Sequence, residues 1–226
     1  MNLNKIVTLS GLSSLVVVIV AYLTSFAAYY NINMVLTLIL FIILYLKKDE
    51  LKEGVAIYFT GALAWYQLYW GIKGVFFGTV QDVHADWFIA MLPFVAACFW
   101  LMRYLFDLDW SKLKIVGIGT MYVVATALIS YLFRMETVNI PIFILLVPCL
   151  YKMLEKSVSG IGEKCISIFL AGLAWYQGYF ALQSLLRWIF VVEQTYTFRY
   201  FTIGLLPFNF GLFVLLFYIF LKQKNG

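Results

Sequence analysis

The pentapeptide LAWYQ occupies Leu63–Gln67, and the same five residues return at Leu173–Gln177. The copies stand 110 positions apart, each inside a long apolar run. At that offset Phe59 also meets Phe169, and Tyr69 meets Tyr179. Further on the offset becomes 114: Leu92–Phe94 (LPF) matches Leu206–Phe208, and Ile89, Phe99, Tyr104 and Phe106 match Ile203, Phe213, Tyr218 and Phe220. Toward the N-terminus it falls to 109 or 108, with Tyr22-Leu23 against Tyr131-Leu132 and Asn31-Ile32 against Asn139-Ile140. It reaches 106 where Leu44-Tyr45 meets Leu150-Tyr151. The offset changes only in links or near the ends of apolar runs, where insertions are tolerated. The pattern reads as a duplication.

The medium follows from composition. Of 226 residues 64% are hydrophobic and 12% charged, and the mean hydropathy is +0.93. A soluble domain needs a charged skin that this chain cannot supply. Apolar runs of roughly 18–24 residues match the length a helix needs to cross about 30 Å of hydrocarbon. Eight spans are predicted, at about 6–28, 32–47, 54–77, 86–106, 112–133, 138–153, 165–188 and 198–221, the second and sixth being short. The expected architecture is all-α and integral to the membrane. It comprises two parallel four-helix units, 1–110 and 111–226, in one compact membrane domain around a pseudo-two-fold axis along the membrane normal.

Basic residues predict the orientation. With the N-terminus inside, Lys5, Lys47, Lys48, Lys52, Arg103, Lys112, Lys114, Lys152, Lys156, Lys164, Lys222 and Lys224 fall on the inner face. Only Lys73, Arg134, Arg187 and Arg199 fall on the outer one. Positive loops stay cytoplasmic, which predicts the cytoplasmic (inner) membrane with both termini inside. The pI near 9.0 is then a topology signal. It gives no basic patch of the kind nucleic acid needs. Lys5, the apolar stretch after it and TSFAAYY (Thr24–Tyr30) imitate a signal peptide. The counterpart of this segment in the second half predicts a retained transmembrane helix instead.

The repeated cluster is the candidate site. Trp65, Tyr66, Gln67 and Trp175, Tyr176, Gln177 fall near the middle of the third and seventh spans, far from the headgroup level where aromatic belts form. A carboxamide facing lipid would leave its donors and acceptors unpaired, at a cost of a few kcal/mol. These side chains are therefore expected to face protein, a cavity or each other. Two readings stay open: interhelical glue worth about 1 kcal/mol per amide, or a symmetric ligand site of rings and amides. Pro93 and Pro207 are expected to kink the fourth and eighth spans. Lys73 and Arg187, near the outer ends of the third and seventh spans, either snorkel to the headgroups or meet a ligand. Their sign favours an anionic or zwitterionic one.

Other patterns carry little. Asp82, His84 and Asp86 in QDVHAD read as a solvated outer loop, with too few ligands for a metal site. Cys98, Cys149 and Cys165 form no CxxC pair and read as buried apolar residues. No Asp or Glu stands in the core of a span, which disfavours carboxylate-based proton or sodium coupling, and no Walker A sequence is present. Neither a cofactor nor a catalytic residue is expected. Three functions remain: a facilitative transporter or pore with its path between the units; a non-catalytic subunit or adaptor, bound to a protein partner or to further copies of itself; and an enzyme acting on a lipid or isoprenoid.

Overall fold

The computed structural model describes residues 2–24, 26–50, 54–73, 83–134, 139–155, 160–190 and 198–224. Among them eight α-helices follow in order: α1 (Leu3–Thr24), α2 (Phe26–Leu46), α3 (Val55–Ile72), α4 (Val83–Leu105), α5 (Lys112–Phe133), α6 (Asn139–Glu155), α7 (Ile161–Phe190) and α8 (Phe198–Lys224). A single 3-10 turn at Lys48–Glu50 follows α2. Five segments are long and apolar enough to cross a membrane: Leu3–Thr24, Phe88–Leu105, Lys112–Phe133, Ile161–Phe190 and Thr202–Lys222. The protein is an all-helical membrane protein. α3 misses this criterion because Trp, Tyr and Gln replace aliphatic residues along LAWYQLYW (Leu63–Trp70).

Two boundaries differ from the sequence expectation. α1 ends at Thr24 and α2 begins at Phe26, so α2 has 21 residues, within which Asn33–Leu46 forms a shorter apolar stretch. The first span expected from hydropathy, to about residue 28, thus runs past the end of α1 at Thr24. α4 begins at Val83, which puts His84 and Asp86 in its first turn rather than in a loop. Asp82 lies outside the described residues.

Neighbours in sequence are mostly neighbours in space. α2 packs on α1 and α3, α4 on α3 and α5, and α7 on α6 and α8. α8 closes the arrangement against α1, while α4·α6 and α2·α8 contacts run inside it. α1 and α5 therefore sit at the periphery. α1 buries one stripe, Ile6, Ser10, Ser14, Val17 and Ala21, and α5 buries Ile115, Gly119, Val123, Ala127 and Ser130. These three- and four-residue steps are one helix face, rich in small residues that allow close approach. At Gly119 a Cβ would lie 3.3 Å from the Ala96 backbone. The opposite faces expose Leu12, Leu15, Val16 and Ile19 on α1, and Met121, Leu128, Ile129 and Leu132 on α5. Such bands are untenable in water and suit hydrocarbon. The core is centred on Phe94, Phe208, Leu63, Leu173, Met91 and Leu146, all fully enclosed.

Candidate functional site

Residues two apart on a helix point about 200° away from each other, so Trp65 and Gln67 leave α3 on opposite sides. Gln67 and Gln177 are fully buried, whereas Trp65 is 41% and Trp175 50% exposed. The tryptophans thus stand partly on the outer surface, while the amides lie in the core. Tyr66 and Tyr176 turn inward with the glutamines, at 3% and 5% exposure.

Each tryptophan has a specific task. Proline lacks an N–H and leaves the carbonyl four residues earlier without its helical partner. Pro93 frees Ile89 in this way, and Pro207 frees Ile203. The Trp65 indole Nε1–H donates to the Ile89 carbonyl at 2.7 Å, and the Trp175 Nε1–H donates to Ile203 at 2.9 Å. In hydrocarbon no water could satisfy those oxygens. The indoles join α3 to α4 and α7 to α8 at the proline turns, and both prolines lie inside continuous helices.

The inner rings are matched as well. Tyr66 lies 5.3 Å from Phe94 and Tyr176 lies 5.5 Å from Phe208, measured between ring centroids. Phe59–Phe94 and Phe169–Phe208 stand at 5.8 and 6.2 Å. Contacts also cross from one sequence half to the other. The Tyr66 hydroxyl donates to Asn139 Oδ1 at 3.1 Å, and it is near enough to Tyr176 and the Gln177 side chain to interact electrostatically with both. That approach to Gln177 falls short of hydrogen-bond geometry, because both polar atoms of the Gln177 amide lack a hydrogen bond, as do both of Gln67. Asn33 on α2 and Asn209 on α8 are likewise fully buried, with both amide atoms unpaired.

The cations stand apart from this centre. Lys73 caps the C-terminal end of α3, with its ammonium 6.0 Å from the Tyr69 ring centroid. Arg187 lies in the last turn of α7. The structure thus brings Tyr66, Tyr176 and Gln177 together and leaves Trp65, Trp175, Lys73 and Arg187 outside that group. Sequence reasoning missed Asn33, Asn139 and Asn209 as members of the polar set. Their signal is an amide set against apolar residues, as in NINMVL (Asn31–Leu36), which holds two, and LLPFNFG (Leu205–Gly211), which holds one. All three cysteines are free and buried.

Fold and site together define a helical membrane protein with carboxamides buried unpaired in its interior. No protein-family model, curated protein or solved structure matches the chain.

Proposed function

We propose that this protein is a facilitative transporter or pore for a small solute. Its two parallel four-helix units, 1–110 and 111–226, would surround the solute about a pseudo-two-fold axis along the membrane normal. The paired indole–carbonyl bonds and paired ring contacts support the duplication, and the Tyr66–Asn139 bond supports a site between the units. One observation carries the reading: Gln67 and Gln177 are fully buried with all four amide atoms unpaired. Each unpaired buried polar group costs about 1–3 kcal/mol, and a solute that hydrogen-bonds to these atoms removes that cost.

The experiment is flux through the purified protein in liposomes. Gln67→Leu and Gln177→Leu abolish it while leaving folded, monodisperse protein. A loss of folding in both variants, with no solute moved by the parent, refutes the reading.

A second reading, a non-catalytic subunit or adaptor, draws on the same burial, since neither amide reaches water in this conformation. Stable co-purification with one partner, together with silent liposomes, selects it.

We place the protein in the cytoplasmic membrane with both termini inside, on the bias of Lys and Arg. A cysteine introduced at position 84 is labelled by an impermeant reagent on intact cells, and one at position 50 is not. The reverse pattern inverts the orientation.

A further inference from the structure

We propose that the solute is uncharged and carries hydrogen-bond donors and acceptors together, as polyols and small amides do; this rests on the carrier reading above. The chemistry of the enclosed groups carries it. A carboxamide offers two N–H donors and a carbonyl acceptor, and a phenol offers one donor and an acceptor. Gln67, Gln177, Tyr66 and Tyr176 are all of these two kinds, and none has a formal charge. Asn33 and Asn209 add two more unpaired amides on α2 and α8, and α2 packs on both α3 and α8. Four buried carboxamides on four helices thus hold eight unpaired polar atoms.

Fixed charge is remote along the same helices. Lys73 is six residues from Gln67, about 9 Å of helix, and its ammonium faces Tyr69. Arg187 is ten residues from Gln177, about 15 Å, and Glu163 is fourteen residues away in the other direction, about 21 Å. On α6, Asn139 stands at the first position while Lys152 and Glu155 pair at the far end. An ion in this centre would lose its hydration with no counter-charge to replace it, a far larger penalty than for a neutral group. The amides match a neutral solute with mixed donors and acceptors at no such cost. It differs from the anionic or zwitterionic ligand expected from the signs of Lys73 and Arg187, and the probes below separate the two.

The test uses the full chain in liposomes and four probes of similar size: glycerol and urea as neutral solutes, acetate as an anion, and glycine as a zwitterion. Wild-type protein accelerates glycerol or urea over protein-free liposomes, and Gln67→Leu and Gln177→Leu each reduce that flux roughly tenfold or more. Gln67→Met and Gln177→Met, close in shape and without the amide, serve if the Leu variants fail to elute as single species. Lys73→Ala leaves the neutral flux unchanged. Acetate or glycine flux that depends on the glutamines overturns the neutral-solute inference and leaves the carrier reading standing. So does a collapse of neutral flux in Lys73→Ala. If none of the four probes outpaces protein-free liposomes, the carrier reading falls and takes this inference with it. Neutral flux indifferent to both glutamines removes the solute from this centre.

Discussion

In the α7–α8 pair, a Cβ added at Gly172 would strike the Pro207 carbonyl oxygen, and one at Gly211 would come within 2.8 Å of the Phe169 Cα. The sequence-equivalent positions in the α3–α4 pair are Ala62 and Ala97, whose methyl groups are already present and buried. The indole–carbonyl bonds and the Tyr–Phe contacts nevertheless have nearly the same lengths in the two pairs. The side chains that match therefore do not set the distance between the backbones; the glycines do. Long aromatic side chains span either separation, while two absent methyls let α7 and α8 meet backbone to backbone.

The strongest way to break this contrast is to fill the closer pair. Gly172→Ala places its methyl against backbone that cannot rotate away, and should destabilise by about 1–3 kcal/mol, the usual range for overpacking. Gly211→Ala is expected to behave alike. The converse change, Ala62→Gly, costs about 1 kcal/mol through helix propensity and a lost methyl contact. Thermal unfolding in detergent ranks the three. A Gly172→Ala protein as stable as the parent would remove the backbone-contact argument.

A thermodynamic cycle sharpens what the two pairs share. Trp65→Phe and Trp175→Phe keep an aromatic ring but strand the Ile89 or Ile203 carbonyl, at a cost of about 1–3 kcal/mol. Pro93→Ala or Pro207→Ala restores a backbone N–H four residues on, so the carbonyl regains its helical partner. The tryptophan change in that background should then cost little. Equal costs in both backgrounds would show that the indole acts through packing alone.

The smallest effect concerns the contact between the sequence halves. Tyr66→Phe removes the hydroxyl bonded to Asn139 and should lower stability by about 1 kcal/mol. Asn139→Ala together with Tyr66→Phe should add little beyond either single change, because both remove one bond.

Much of the helical order was legible because apolar length is a direct consequence of bilayer thickness. The like bonds Trp65–Ile89 and Trp175–Ile203 form in stretches whose motifs, LAWYQ and LPF, recur letter for letter. What escaped was the direction each side chain faces. Trp65 and Gln67 look like one cluster in a linear reading, yet the 3.6-residue turn sends them to opposite sides. That step needs only helix geometry, and applying it places Trp65 toward the partner helix's surface. Nothing local reveals that the indole would seek the carbonyl freed by Pro93, since the two residues are 28 apart and meet only through α3–α4 packing. Asn209 was hidden for a different reason. Its sequence equivalent is Val95, so a search keyed to duplicated residues passed over it.

The contact between α1 and α8 bears on how the molecule is made. Among the described residues α1 packs more extensively on α8 than on α2, and Leu3 joins the Ile6, Cys165 and Val214 cluster beside Leu221. During synthesis α1 leaves the ribosome before α8 and must wait for it. Until then its buried serines, Ser10 and Ser14, turn their hydroxyls back onto Ile6 and Ser10 carbonyls of the same helix, so α1 can rest in lipid with those groups satisfied. The contact closes like a clasp only when α8 arrives.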